Sequence, residues 1–266
     1  MPHTEEMVTV SGAQIRLLRG GRAEAPPLVF LHGAGGHTGW MAFLDELSRD
    51  FAVYAPEHPG FGRSDDPPWL DEVADLAYFY LDFLEALALD RVHLVGTSLG
   101  GWIAAELAVR NQTRLASLTL VGAVGILAEG EPIDDIFRMP VEENLRRFYA
   151  DPERAARRLT DMATVDMNLV AKNRQTVTRL AYRPRFYNPH LAKWLHRITV
   201  PTLLLYGDKD GLVPLRFGEA YHAAIPGSRL VMLENAGHAP FDEQRAAFLD
   251  ALREFYGPLT GRTVPR

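Results

Sequence analysis

Apolar positions along the chain fall into two alternating patterns. Compact runs of four or five apolar residues, closed nearby by Gly or Pro, occur at Leu28–Leu31, Phe51–Ala55, Val92–Val95, Leu118–Val121, Leu203–Tyr206 and Leu230–Leu233. Runs this short and this continuous fit strands covered on both faces. Val8–Val10 and Gln14–Leu18 add an opening hairpin around Ser11-Gly12. Between the runs lie helical patterns. Apolar residues at 73, 76, 77, 80, 81, 84, 87 and 88 place one amphipathic helix within Asp71–Leu89. Leu99–Arg110 reads as a small-residue helix. Pro214–Ile225 and Pro240–Tyr256 are two more, each with Pro in the tolerant first turn. Strand–helix alternation with buried strands predicts an α/β fold: a mostly parallel eight-stranded sheet flanked by helices.

One stretch breaks the rhythm. Residues 124–197 show no strand pattern but several helical ones, around 141–149, 152–162, 167–181 and 189–196. The expected organisation is a core of residues 1–123 and 198–266 interrupted by a helical lid at 124–197. The insert holds thirteen basic and ten acidic side chains, so it carries +3 and the rest of the chain −9. Most of its arginines are expected on solvated helix faces. The charge division nonetheless hints at an anionic substrate beneath the lid.

Composition then excludes chemistries. The 266 residues contain no cysteine, which rules out a disulfide framework, a thiolate metal site and a cysteine nucleophile. Hydrophobic residues make up 47%, enough for a sizeable core. A net charge of −6 disfavours nucleic-acid binding, which needs a basic footprint. No apolar run approaches the roughly 20 residues that cross a bilayer, and the acidic start MPHTEEMVTVSG lacks a secretory pattern. A cytoplasmic protein acting on a small molecule, without nucleic acid or membrane, is the expectation. A homo-oligomer is compatible with the sequence. There is no Gly-Lys phosphate loop, no His-Glu-x-x-His helix and no calcium-loop pattern, so no cofactor and no metal are implied.

The sharpest chemical feature is Gly96-Thr97-Ser98-Leu99-Gly100, between the Val92–Val95 strand and the Leu99–Arg110 helix. Small residues flank Ser98 because the strand must turn abruptly into the helix. Such a turn strains the serine and lifts its hydroxyl out at the strand's carboxyl end. The helix N-terminus offers free N–H groups to a developing oxyanion. A serine needs a base, and the base an orienting carboxylate. Asp210, in Tyr206-Gly207-Asp208-Lys209-Asp210, and His238, in Ala236-Gly237-His238-Ala239-Pro240, both follow strands and can reach the same sheet edge as Ser98. Asp208 competes with Asp210 for the acid's role.

In these stretches the chain resembles the α/β-hydrolase-fold superfamily over nearly its whole length. Ser98 matches the nucleophile elbow, Asp210 the acid and His238 the base. His32-Gly33-Ala34-Gly35-Gly36 resembles the oxyanion loop, and Pro59-Gly60-Phe61-Gly62-Arg63-Ser64 the loop after the fourth strand. The lid falls where the family places its cap. The resemblance favours Asp210 over Asp208. It implies an oxyanion hole from the N–H groups of Leu99 and Ala34, with Gly35 the alternative to Ala34. The stretch Gly122–Gly125, where some relatives carry the acid, offers no carboxylate. His32 is expected to structure its loop. Trp40 and Trp102 are expected to pack near the oxyanion loop and the elbow helix; with Gly35 they are the candidate pocket residues. Glu57, where relatives more often carry Asp, is expected to have a local structural role.

A serine at the elbow points to acyl chemistry, whereas relatives that open epoxides or displace halide use Asp there. The leading expectation is a carboxylic-ester hydrolase working through an acyl-enzyme on Ser98. The alternative is a carbon–carbon hydrolase of ring-cleavage keto acids, whose Gly-rich loop the HGAGG…Trp40 stretch resembles and whose substrate carboxylate the lid arginines would meet. Thr97 and Ala239 depart from that group, which more often has Asn and Trp at these places. A ligand-binding receptor or lyase on the same fold is a further class.

Overall fold

Each buried strand alternates its side chains between two apolar cores. Leu28 and Phe30 face one core while Val29 and Leu31 face the other; Leu203 and Leu205 are likewise separated from Leu204 and Tyr206. Two apolar faces are why these segments read as continuous apolar runs. The computed structural model describes residues 3–37, 39–131 and 133–260, with the backbone alone at Ala163. Met1 and Pro2, which open the acidic N-terminal stretch, lie outside the described residues.

In chain order the elements are β1 (Thr4–Val10), β2 (Ala13–Gly20), β3 (Pro27–Leu31), α1 (Ala42–Leu47), β4 (Ala52–Pro56), α2 (Val73–Ala86), β5 (Val92–Thr97), α3 (Leu99–Arg110), β6 (Leu115–Val121), α4 (Val141–Phe148), α5 (Pro152–Asp161), α6 (Met167–Ala181), β7 (Thr202–Gly207), α7 (Leu215–Ala224), β8 (Arg229–Leu233), α8 (Pro240–Glu243) and α9 (Arg245–Thr260). Short 3-10 turns occupy Met162–Thr164 and Ala192–Arg197. The eight strands form one sheet in the order β1-β2-β4-β3-β5-β6-β7-β8. Only the β1–β2 and β2–β4 pairings are antiparallel. One core joins the sheet to α2, α3 and α7; the other joins it to α1 and α9.

The eight-stranded α/β architecture agrees with the expectation. Differences lie at the ends of elements. Residues 71–89 form a helix only from Val73, where Glu72 and Asp75 complete a reciprocal capping box. The single helix expected over 240–256 is two, because Gln244 leaves helical conformation (φ −123°, ψ 49°). Among the described residues, three α-helices lie along the chain between β6 and β7. Two of them begin at Asp N-caps: Asp151 accepts from the Glu153 N–H and Asp166 from the Asn168 N–H. The helical pattern around 189–196 corresponds to the 3-10 turn Ala192–Arg197. Among the described residues no helix is long and apolar enough to cross a membrane.

Candidate active site

The carboxyl ends of β5, β7 and β8 lie along one edge of the sheet, and the three expected chemical residues follow them. Ser98 sits between β5 and α3 with φ +54° and ψ −115°. A non-glycine residue held there costs on the order of 1–3 kcal/mol. The surroundings hold it in place: the Ser98 N–H donates to the Val121 carbonyl at 2.9 Å, and the Ser98 carbonyl accepts the first α3 bond from Trp102 N–H at 3.1 Å. At Gly100 a Cβ would come within 2.2 Å of the Leu31 carbonyl oxygen, so only glycine lets the helix start this close to β3. Leu99, as the first residue of α3, has no intrahelical partner for its N–H.

Past β7, the buried Asp210 spends one carboxylate oxygen on its own loop. Its Oδ1 accepts from the N–H groups of Leu212 (2.9 Å) and Val213 (2.8 Å). The other oxygen, Oδ2, accepts from Nδ1 of the buried His238 at 2.7 Å. That bond puts the ring proton on Nδ1 and leaves Nε2 as the basic nitrogen. Asp208 is placed elsewhere, with Oδ1 accepting from the Ala236 N–H at 3.2 Å. It shapes the His238 loop without touching the imidazole.

The His32–Gly36 loop, expected to supply an oxyanion donor, is a tight turn in which the Gly36 N–H donates to the Gly33 carbonyl at 3.1 Å. Ala34 and Gly35 are its central residues. The Gly35 carbonyl accepts from Asn173 Nδ2 at 3.0 Å. His32 anchors the turn: its Nδ1 donates to the Gly33 carbonyl at 2.8 Å, and its Nε2 accepts from the His58 N–H at 3.0 Å. His58 returns a bond from Nε2 to the His32 carbonyl at 2.9 Å and accepts from the Tyr80 hydroxyl through Nδ1. These tautomers require both rings neutral. Burial, with the neighbouring His58 and His37, holds His32 well below the ordinary imidazole range; burial pushes His58 down to about 3. Burial also pushes His93, bonded to the Ser117 hydroxyl, down to about 4.

Neutral buried histidines give a pH prediction. The unfolded chain takes up these protons near pH ~6.5 and the folded chain only at lower pH, about 3 for His58 and about 4 for His93, so stability rises with pH across that window and levels off above it. His58 and His93 are each expected to cost about 1.4 kcal/mol for every pH unit between ~6.5 and their folded-state values, and His32 acts in the same direction. Urea unfolding at pH 7.5 and pH 5 should therefore show several kcal/mol less stability at pH 5. Equal midpoints at the two pH values would contradict the neutral-histidine account.

The sequence did not reveal how the inserted helices hold the loops that carry Asp210 and His238. At the end of α4, the Phe148 carbonyl accepts from the His238 N–H (2.6 Å) and the Arg147 carbonyl from the Gly211 N–H (3.0 Å). The Phe148 ring meets the His238 imidazole edge-on at 5.1 Å. Glu243 ties the same region together, accepting from the N–H groups of Gly237 (2.7 Å), Ala150 (2.7 Å) and Asp151 (3.1 Å). Glu57 has the expected structural role. It is buried, its Oε2 accepts from the Arg63 N–H at 2.6 Å, and Arg16 lies 3.5 Å from its Oε1.

Both tryptophans make packing contacts. Trp102 lies against Gly125, and its N–H donates to the buried Glu106 at 2.9 Å. Trp40 lies over Gly20 and stacks on His3 at 5.1 Å. Among the described residues, five of the insert's thirteen basic residues are in ion pairs: Arg147 with Asp134, Arg154 with Asp242, Arg157 with Asp151, Arg179 with Asp66 and Arg185 with Asp135.

A doubly covered, mostly parallel sheet with Ser98 at the end of β5 and the bonded His238–Asp210 pair after β7 and β8 has the architecture of an α/β hydrolase. Residues 28–251 match the model of the alpha/beta hydrolase family, and the chain belongs to that family. A 2-hydroxy-6-oxononadienedioate/2-hydroxy-6-oxononatrienedioate hydrolase of Cupriavidus pinatubonensis is 30% identical, over 88% of this chain and 88% of that protein. A 2-hydroxy-6-oxo-2,4-heptadienoate hydrolase of Pseudomonas putida is 28% identical, over 86% of this chain and 88% of its own. Among solved structures, a bacterial membrane phospholipase A superposes with a TM-score of 0.82 at 28% identity, covering 97% of this chain and 86% of that one.

Proposed function

We propose that Ser98, His238 and Asp210 act as nucleophile, base and acid, and that residues 124–197 form a lid over them. The observation that carries this reading is the 2.7 Å bond from His238 to Asp210 on the sheet edge where Ser98 is held strained. In the first step Ser98 Oγ bonds to a carbonyl carbon and its proton passes to His238 Nε2. The oxyanion is met by the N–H groups of Leu99 and Ala34. The leaving fragment then departs with the proton from His238, and a water activated by the same ring releases the acyl group. The cytoplasmic, small-molecule setting expected from the sequence belongs to this reading.

For the substrate we infer a keto acid of the ring-cleavage type. The support is the two 2-hydroxy-6-oxo acid hydrolases among its relatives. In such a substrate the carbon–carbon bond beside the 6-oxo group breaks, and the carbon fragment leaves protonated. Its carboxylate would not be received by the five arginines already held in ion pairs. Thr97, Ala239 and the likeness to a phospholipase favour a second reading, carboxylic-ester hydrolysis. One experiment separates the two. The protein is offered the yellow 2-hydroxy-6-oxo-2,4-heptadienoate and, separately, p-nitrophenyl butyrate. Bleaching with a kcat/KM above that for the ester supports the keto-acid reading; ester turnover without bleaching overturns it.

A further inference from the structure

Helix α6 docks on the core through side chains at positions 172, 173, 176 and 179; 176 lies three or four residues from each of the others, which puts them on neighbouring parts of one face. All four reach the loop after β4, and three of them end there. Lys172 Nζ donates to the carbonyls of Gly62 (2.9 Å) and Ser64 (2.6 Å). Thr176 Oγ1 donates to the Gly60 carbonyl (2.6 Å), and Arg179 grips the Asp66 carboxylate at 2.5 and 3.3 Å. Asn173 does something different. Its Oδ1 accepts from the Gly62 N–H at 2.8 Å, while its Nδ2 donates to the Gly35 carbonyl at 3.0 Å. Of the four, Asn173 reaches the oxyanion loop.

The bond lands at a sensitive place. The peptide joining Gly35 to Gly36 is held at one end by the Gly36 N–H on Gly33 and at the other by Asn173. Gly36 has φ +87°, so the chain itself offers little resistance to rotation of that peptide. Rotating it would unwind the turn that aims the Ala34 N–H. Oxyanion donors act through fixed direction, so a turn free to swing loses most of their effect.

We propose that Asn173 is a positioning residue: it ties the lid helix to the oxyanion turn, so that the oxyanion hole is shaped while α6 is docked. This rests on the triad reading of Ser98, His238 and Asp210. The test follows inactivation by an alkyl fluorophosphonate. In that reaction Ser98 Oγ bonds to phosphorus, fluoride leaves, and the hydroxyl proton passes to His238; the phosphonyl oxygen occupies the oxyanion's place. Asn173→Asp keeps an acceptor for Gly62 and loses the donor to Gly35, and Asn173→Ala loses both. Both variants are expected to lower the limiting inactivation rate by about 10- to 100-fold, with the half-saturating concentration within about threefold of wild type. Thr176→Val, which removes a lid bond outside the turn, is expected to lower the melting temperature but keep the limiting rate within about threefold. Wild-type rates in both Asn173 variants would overturn the proposal, as would an equal loss in Thr176→Val. If Asn173→Ala does not fold, Asn173→Asp decides. A wild-type protein that is not labelled at Ser98 would overturn the triad reading itself, a result distinct from labelling that is insensitive to Asn173.

Discussion

Ser98→Ala is expected to reduce kcat on the protein's substrate by about 10⁴- to 10⁶-fold while leaving the fold intact. The hydroxyl is the atom that bonds to the substrate, and His238 has no proton to take once it is gone. Residual turnover would come from the Leu99 and Ala34 donors polarising the carbonyl for direct attack by water. Stability should not fall. The backbone at residue 98 is strained (φ +54°, ψ −115°) whatever its side chain, and Ser98 donates no side-chain bond to any cap. Ser98→Gly, which relieves the strain, is expected to raise the unfolding free energy by about 1 kcal/mol and to abolish activity equally. Matched activity assays and urea unfolding curves check both halves. A variant that loses activity only because it unfolds would contradict the account.

Asp210→Asn is expected to cost about 10⁴-fold in kcat. The amide oxygen can still accept from the Leu212 and Val213 N–H groups, so the loop survives. The amide nitrogen then faces His238 Nδ1 as a donor, and the imidazole must place its own proton on Nε2. A ring protonated at Nε2 cannot accept the serine proton. Asp208→Asn provides the contrast: the Asp208 carboxylate holds the Ala236 N–H at 3.2 Å and does not meet the imidazole, so its loss is expected to stay within about tenfold. Equal losses in the two variants, measured on the same substrate, would contradict the assignment of Asp210.

The central strands and the places of Ser98, Asp210 and His238 at strand ends were legible in the sequence for a physical reason. A strand covered on both faces must be apolar at every position, and Leu28–Leu31 or Leu203–Tyr206 is therefore visible without knowledge of its partners. Edge strands do not advertise themselves this way. β1 begins at Thr4 because the backbone of Thr4–Met7 pairs with Leu17 and its neighbours in β2, although its side chains there are mostly exposed. α1 went unseen because six residues are too few to establish a helical period, although Phe43, Leu44 and Leu47 are buried. The insert showed its helices through amphipathic spacing, and 167–181 coincides with α6. Its charge was readable, but the partners of each arginine were not: Arg147, Arg154 and Arg179 are bound to carboxylates that no local spacing reveals.

Ser98, Asp210 and His238 could be placed because each follows a strand of one parallel sheet. Phe148, Asn173 and Glu243 could not. They act through main-chain atoms contributed by distant parts of the chain, and no local spacing encodes such a contact. Asn173 left one trace, a side chain that competes with helix hydrogen bonds placed in the middle of a helix.

The most direct test of the central claim is the mass of the intact protein, and of its peptides, after incubation with a fluorophosphonate at pH 7.5. The account predicts a single phosphonyl adduct on the peptide carrying Ser98, absent from Ser98→Ala and formed far more slowly in Asp210→Asn. No adduct, or an adduct that persists in Ser98→Ala, would contradict it.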